Sequence, residues 1–301
     1  MSRSLKAHLL LLAVTLVWGS TFVLVKSALG DITPLLFNAV RMTLASAVLA
    51  AIYWKSLREM RREAFWSGAL VGLMMYAGYE FQTTGLTLTT PSKSAFLTGV
   101  SVVLVPIVLR LGWRKHINKW TVLGVVIAFA GLFFLTVPPG AGGGFKLNGI
   151  NLGDVLTVGC AISFAFQIVL VGQASERHGF APIAFMQVAG AAVLMFATVP
   201  VGEHAHVTWS PVVIWAILIT GLLGTAAAFT VQAWAQQFTP ATHTALIFLL
   251  EPVFAWATSF VVLHERLGIR GSFGAMLILA GVVLSELLGS KDHPVEEIRV
   301  S

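Results

Sequence analysis

Charged side chains are scarce in this sequence of 301 residues. Asp, Glu, Lys and Arg together make up 11% of it, whereas roughly a quarter is usual for a soluble domain, and hydrophobic residues make up 57%. No soluble core could bury that much apolar surface, so the composition predicts an integral membrane protein. The formal net charge of +6 does not indicate a nucleic-acid partner, because the basic residues lie in short loops and form no basic face.

Cysteine and the motifs of enzymes are also nearly absent. The single cysteine, Cys160, lies inside an apolar run, so no disulfide is expected. The apolar runs contain no His-x3-His, no paired aspartates and no nucleophile elbow, and the chain has no Walker motif. His204 and His206 share a loop without a third ligand type. We therefore predict no enzyme, no ATP-driven pump, no metal site and no cofactor.

Ten apolar runs come close to the roughly 20 residues that a helix needs to cross a bilayer. None alternates with period two, and the bilayer offers backbone groups no partners outside their own segment, so each run predicts a helix. The sequence thus predicts an all-α polytopic membrane protein with ten transmembrane helices, at residues 8–28, 34–53, 66–86, 91–111, 119–137, 153–173, 182–201, 211–236, 240–262 and 269–288.

The sequence contains an internal repeat, in which its two halves resemble each other at an offset of 150 residues. At that offset Gly124 corresponds to Gly274, and Gly131 corresponds to Gly281. Five helices is an odd number, so the second half must enter the membrane from the opposite side, which makes the halves inverted repeats with a solute site between them. We predict a first five-helix repeat at 1–137, a glycine-rich linker at 138–152, a second repeat at 153–290 and a tail at 291–301.

The distribution of Lys and Arg predicts the orientation. With the amino terminus in the cytoplasm, thirteen of them fall on the cytoplasmic side and five on the other, and Arg41 lies within the membrane. This positive-inside bias predicts that both termini are cytoplasmic.

Several motifs are similar to those of one transporter family. They are Trp18-Gly19-Ser20-Thr21-Phe22 followed by Lys26, Pro34 followed by Arg41, Leu250-Glu251-Pro252, Glu265-Arg266-Leu267, and the pair Gly274 and Gly281. In order and spacing they resemble the EamA-type proteins of the drug/metabolite transporter superfamily, over roughly Leu9 to Leu288. The resemblance implies a ten-helix carrier of small organic solutes in the bacterial inner membrane, and many such carriers export amino acids or related metabolites.

Three ionisable residues lie deep within predicted helices, namely Arg41, Glu80 and Glu251. Such residues normally face the bundle interior or a wet cavity. Tyr76 and Tyr79 share a helix face with Glu80, so we expect this face to form the core of the solute site. Glu251 precedes a proline that breaks the backbone ladder, which favours a structural or gating role. Arg41 could pair with Glu80, with Glu251 or with a substrate carboxylate, and the sequence leaves these partners open.

The predicted site draws on most helices. The hydroxyl and amide groups could instead serve only to tie neighbouring helices together. His243, near the start of the ninth helix, is a candidate for proton coupling. The predicted substrate-binding residues are Trp18, Tyr76, Tyr79, Glu80, Thr98, Ser101, Ser163, Gln167 and Gln232, and the predicted gating or coupling residues are Arg41, His243 and Glu251.

These residues predict a secondary transporter that works by alternating access. Opposed charges and aromatic rings suit a zwitterion with an apolar side chain, and the family resemblance likewise implies export of neutral or aromatic amino acids. Sugars, nucleosides and cationic drugs remain alternatives, and a membrane-embedded lipid-modifying enzyme is the alternative outside transport. The expected partners are the solute, the lipid bilayer and protons as a coupling ion. We expect a monomer or a weak homodimer, since small-residue ridges such as Gly68-x3-Gly72 indicate helix packing.

Overall fold

The computed structural model describes residues 2–88, 96–137, 151–263 and 268–289, and these are almost entirely helical. We number the ten membrane helices α1 to α10. A five-residue helix, Trp54–Arg58, joins α2 to α3. The helices are α1 Arg3–Ala28, α2 Pro34–Ile52, α3 Arg62–Leu88, α4 Phe96–Trp113, α5 Lys119–Thr136, α6 Leu152–His178, α7 Phe180–Gly202, α8 Pro211–Ala235, α9 in two segments Ala241–Phe248 and Glu251–Leu263, and α10 Ile269–Leu284 with a π-helical end Ser285–Gly289.

Nine of the helices in the described residues are long and apolar enough to cross a membrane. The tenth, α3, has 27 residues and carries Glu80 among its polar side chains. It packs along α6 and α7. A Cβ added to Gly68 would lie 2.4 Å from Cβ of Met186, and one added to Gly72 would lie 3.0 Å from the Gln187 carbonyl oxygen. The predicted packing role of this ridge is therefore confirmed, and protein rather than lipid covers that face of α3.

The inverted repeat is visible where α5 crosses α10. A Cβ added to Gly124 would lie 2.6 Å from the carbonyl oxygen of Gly281, and one added to Gly131 would lie 2.6 Å from that of Gly274. Shifting the first contact by the 150-residue repeat turns it into the second. The two helices are thus antiparallel and related by a two-fold axis between them, as two inverted five-helix repeats require.

Polar contacts identify the two faces of the bundle. On the face where α1 begins, which we call the N-terminal face, Ser67 of α3 meets His178 at the end of α6 at 3.3 Å. On the opposite face, the Glu203 carboxylate accepts hydrogen bonds from the backbone N–H groups of Leu35 at 3.1 Å and Leu36 at 2.7 Å. A carboxylate at this position satisfies the free donors at the start of α2 and also complements the helix dipole.

Local sequence explains where α6 begins. Asn151 and Asp154 form a capping box, in which each side chain accepts the backbone N–H of the other residue, at 2.9 and 3.1 Å. The Asn151 amide also donates to the carbonyl oxygen of Leu88 at 3.0 Å, which ties the start of α6 to the end of α3. The predicted linker up to residue 150, the Glu265-Arg266-Leu267 motif and the tail lie outside the described residues.

Candidate functional site between the two halves

Two membrane helices are broken at equivalent positions. The helical run of α4 is interrupted at Val100, and that of α9 is interrupted at Leu249 and Leu250, one 150-residue repeat later. In α9 the residue after Glu251 is Pro252, which has no N–H to donate to the Phe248 carbonyl. Broken helices at a repeat interface expose backbone polar groups in the middle of the membrane, where secondary transporters bind solutes.

A π-helical segment in α8 faces the same region. It spans Leu222–Ala227, and the Thr225 hydroxyl donates to the Thr220 carbonyl, five residues earlier, at 2.8 Å. The indole N–H of Trp18 donates to the carbonyl oxygen of Gly224 at 2.7 Å, so a side chain of α1 satisfies the distorted backbone of α8. π-Bulges of this kind are frequent at functional sites.

Aromatic rings surround this region. The Trp18 ring centroid lies 4.9 Å from that of Phe248, directly before the break in α9, and 5.7 Å from that of Phe229 in α8. The Tyr79 ring meets Phe164 of α6 edge to face at 5.5 Å. Trp18 and Tyr79, both of the first half, therefore contact aromatic rings of the second half.

Arg41 lies against Tyr79, and no carboxylate of the described residues pairs with it. Its guanidinium carbon is 4.8 Å from the Tyr79 ring centroid and 5.6 Å from that of Phe37. Its buried Nε has no hydrogen-bond partner, and among the described side chains no carboxylate forms an ion pair with it. Of the three partners left open by the sequence, the structure thus pairs Arg41 with neither Glu80 nor Glu251. An unpaired interior arginine is a ready binding group for an anion.

Glu251 is a second charged neighbour of Tyr79. The Tyr79 phenol is within electrostatic range of Arg41, Glu251 and Cys160, which come from three different helices. Cys160 in turn contacts the Thr98 hydroxyl at 3.8 Å. Arg41, Tyr79 and Glu251 each keep part of their surface accessible while lying between the halves. The structure therefore brings together one cation, one carboxylic acid and a phenol around the break in α9.

Glu80 faces a different neighbour from Tyr79. The Thr198 hydroxyl of α7 donates to the Glu80 carboxylate at 3.5 Å. The charged group that interacts electrostatically with Glu80 is Glu203, on the face opposite the N-terminal face. Successive residues on a helix point about 100° apart, so one turn of α3 cannot aim both side chains at one point. Thr83, about one turn after Glu80, accepts a hydrogen bond from the Asn38 amide of α2 at 3.1 Å.

Three glutamines form a closed cluster beside this site. Gln167 donates to Gln187 at 2.9 Å, and Gln167 and Gln232 exchange hydrogen bonds at 3.3 Å. All three are at most 2% exposed, so their amides satisfy one another and tie α6, α7 and α8 together. The sequence analysis missed Gln187, although a lone amide in the apolar run of α7 carried the same signal as the other two.

The remaining predicted residues lie around this core. Tyr76 packs against an apolar cluster that includes Met75 and Phe229. The Ser163 hydroxyl donates to the Gly159 carbonyl of its own helix at 2.8 Å. Ser101, which is 9% exposed, directly follows the break in α4.

His243 lies toward the N-terminal face, five residues and about 7.5 Å along the helix axis before Phe248. Its Nδ1 is 3.1 Å from a carboxylate oxygen of Glu286, whose other oxygen is 3.0 Å from Nε2 of His8. His8 and Glu286 could not be found by residue spacing, because His8 lies 235 or more residues from both partners and Glu286 lies at the end of the last span. Two imidazoles and a carboxylate are ligands that could hold a metal ion.

Two surface concavities in the described part of the chain lie elsewhere, on the N-terminal face. One is lined by residues 51–56, and the other by residues of the 56–63 and 177–182 segments. None of the predicted site residues lines either of them.

The two-fold related halves, the matching helix breaks and the interior charges define a multi-span membrane transporter. The chain belongs to the EamA-like transporter family, whose model matches it twice, at residues 5–137 and 151–287. The match covers both repeats, which confirms the family resemblance found in the motifs.

Relatives and solved structures agree with this assignment. An uncharacterized transporter of Archaeoglobus fulgidus is 35% identical over 95% of this chain and 87% of its own length. The uncharacterized transporter YoaV of Bacillus subtilis is 25% identical over 95% of this chain and 98% of its own. A protein of known crystal structure shares the fold, with a TM-score of 0.77 at 19% identity over 96% of this chain and 99% of that one.

Proposed function

We propose that this transporter is a secondary carrier of small zwitterions with an apolar side chain, namely neutral or aromatic amino acids or related metabolites, and that it exports them. Arg41 would bind the carboxylate, and Glu251 would bind the ammonium group. Trp18, Tyr79 and the rings around them would cover the apolar side chain.

The observation that carries this proposal is the unpaired Arg41 beside Tyr79. A guanidinium in the membrane interior without an anion is costly, and a bound carboxylate would supply two charge-assisted hydrogen bonds in a fixed geometry. Glu251 lies in range of the same phenol without joining Arg41 in an ion pair. A solute that carries both charges could bridge the two groups, whereas a sugar or a nucleoside would leave both unpaired.

The fold supports alternating access as the mechanism. The site lies between halves that contact each other through the glycines of α5 and α10, where backbones meet with no intervening side chain. Such a contact allows one half to rock against the other about a fixed line. We place the carrier in the bacterial inner membrane with both termini in the cytoplasm, as the distribution of basic residues favours. We expect it to act without enzymatic chemistry, as a monomer or a weak homodimer.

Counterflow in proteoliposomes tests the proposal. Purified protein in liposomes loaded with an unlabelled amino acid should accumulate the same labelled amino acid, with no added nucleotide or other reactant. The panel should contain neutral and aromatic amino acids, sugars, nucleosides and cationic drugs. Arg41→Gln should lose counterflow of the amino acids, whereas Arg270→Gln should keep it. Arg270 is the matched control, because it too lies over aromatic rings, those of Phe133 and Phe134, but at the start of α10.

Counterflow of sugars or cationic drugs alone would contradict the zwitterion assignment. Conversion of lipid without movement of any solute would favour the membrane-embedded enzyme instead.

A further inference from the structure

Two histidines and a glutamate meet on the N-terminal face, where α1, α9 and α10 come together. One oxygen of Glu286 is 3.0 Å from Nε2 of His8, and the other is 3.1 Å from Nδ1 of His243. The three ligand atoms lie within 4.8 Å of one another. His243 is 4% exposed, and the other two side chains are 22% and 24% exposed, so the cluster is half-buried but open to ions.

The hydrogen bonds of His8 show that the cluster needs a cation. Its Nδ1 lies 2.7 Å from the Ser4 carbonyl oxygen, which only accepts hydrogen bonds, so Nδ1 must carry a hydrogen. In a neutral His8 the Nε2 atom then turns a lone pair toward a Glu286 oxygen 3.0 Å away. Two acceptors at this distance repel each other. Either a proton or a metal ion must lie between them.

The same hydrogen bond prepares His8 as a metal ligand. Histidines that bind metals usually donate their other ring N–H to a carbonyl or carboxylate, which fixes the tautomer and the ring orientation. Ser4 plays this part for His8. A tetrahedral Zn²⁺ with bonds of about 2.0–2.1 Å needs ligand atoms roughly 3.3 Å apart. His8 and Glu286 would therefore separate by about 0.3 Å, and the most distant ligand atoms, at most 4.8 Å apart, would approach by up to about 1.5 Å, which side-chain rotations allow.

Among the described residues, two cationic side chains near the start of α1 are directed at aromatic rings. Arg3 of α1 lies over Phe238, at 5.7 Å from the ring centroid. Lys6 of α1 lies over Trp234, at 5.4 Å. These contacts hold the start of α1 against the end of α8 and keep both positive charges stacked on rings.

The cluster joins the two halves of the transporter. His8 belongs to the first half, and His243 and Glu286 belong to the second. Beside it, Ala7 is fully buried in an apolar cluster that also contains Ala235 and Ile247 of the second half. An ion held by all three ligands would therefore keep the N-terminal face closed.

We propose that His8, His243 and Glu286 form a binding site for a divalent transition-metal ion, with Zn²⁺ as the natural probe, and that the bound ion clamps the N-terminal face shut. Two imidazoles and a carboxylate leave a fourth position for water. Because the ligands come from both halves, an open N-terminal face cannot bind the ion with all three. The ion therefore favours the closed state by its difference in affinity for the two states. This proposal of a metal site does not depend on which solute the protein transports.

Zn²⁺ binding to the purified, full-length protein tests the site directly. We expect one Zn²⁺ per chain in equilibrium dialysis, with Mg²⁺ in excess failing to displace it. His8→Gln and Glu286→Gln should each weaken binding at least about tenfold, because each removes a ligand from a three-ligand set. His204→Gln is the matched control, since it removes an exposed histidine of the other face, and it should bind Zn²⁺ like the unmodified protein. Equal Zn²⁺ affinity in all three variants would overturn the proposal.

A labelling experiment tests the clamp without reference to transport. Ala7→Cys, in a background with the native cysteine replaced, should react with a maleimide only when the N-terminal face opens, because Ala7 is 0% exposed. Zn²⁺ should slow this labelling several-fold in the Ala7→Cys protein and leave it unchanged when His8→Gln is added. Labelling of Ser56→Cys, at the surface of the same face, corrects for any effect of Zn²⁺ on the reagent. Zn²⁺ binding that leaves the Ala7→Cys rate unchanged would overturn the clamp.

Discussion

Replacing Gly131 by alanine should separate α5 from α10 and destabilise the transporter. The added Cβ would lie 2.6 Å from the Gly274 carbonyl oxygen and 2.7 Å from the backbone nitrogen of Ile278. Real Cβ contacts are essentially never closer than 3.0 Å. The obstructing atoms belong to the backbone of α10, so no side chain can rotate away, and the two helices must move apart by several tenths of an ångström.

Overpacking of this kind costs about 1–3 kcal/mol, and we expect a value near the upper end because a whole helix has to move. The free energy of unfolding of the purified protein in detergent measures it. Gly112→Ala is the matched control, since a Cβ at Gly112 meets nothing within 4 Å. It should be neutral or stabilise slightly, because alanine is the better helix former. Gly281→Ala, the two-fold mate of Gly131→Ala, should lose a similar amount.

The result that would refute this reasoning is an unchanged unfolding free energy for Gly131→Ala. Normal stability combined with an altered solute preference would be equally damaging, because α5 and α10 would then line the solute path instead of holding the halves together.

Three further predictions concern the site, the glutamine cluster and the topology. Tyr79→Ala should abolish counterflow, whereas Glu80→Gln should change the apparent affinity for the solute less than about threefold, because Glu80 makes only a weak contact outside the Arg41 site. Loss of counterflow in Glu80→Gln but not in Tyr79→Ala would place the site at Glu80. Gln187→Leu should lower the unfolding free energy by about 1–3 kcal/mol, since it leaves buried amides unpaired, and thermal melting without any loss would show that the cluster is not a tie. Single cysteines at Ser56 and His204 should react with an impermeant reagent from opposite sides of the membrane, Ser56→Cys from the cytoplasm, and labelling from one side would exclude the orientation.

The fold could be predicted almost completely from the sequence. Hydrophobic run length is set by the bilayer, and the inverted repeat follows from an odd number of helices per half, so both are properties of the sequence alone. The structure confirms the pairing of the glycines in detail, since Gly124 and Gly131 of α5 meet Gly281 and Gly274 of α10.

The site could be predicted only in part, because its chemistry depends on helix rotation and on contacts between distant segments. Helical periodicity placed Tyr79 and Glu80 on one broad face, but it cannot say which neighbour each side chain meets. A rotation of about 100° per residue sends the first to Arg41 and the second to Thr198. Residue spacing also gave no sign of the break at Val100 in α4. This break is visible only in the structure, where it lies one 150-residue repeat before the break in α9.

The recognition of a carboxylate by Arg41 is the central claim, and comparing two ligands tests it most directly. Equilibrium binding of an amino acid found to be transported should be measured beside that of its decarboxylated amine, in the unmodified protein, in Arg41→Gln and in the Arg270→Gln control. The unmodified protein and the control should bind the amino acid roughly 10–100-fold more tightly than the amine, because hydrogen bonds to a charged group contribute about 1.5–3 kcal/mol. Arg41→Gln should bind both ligands about equally. An undiminished preference in folded Arg41→Gln would contradict the account and place the solute carboxylate elsewhere.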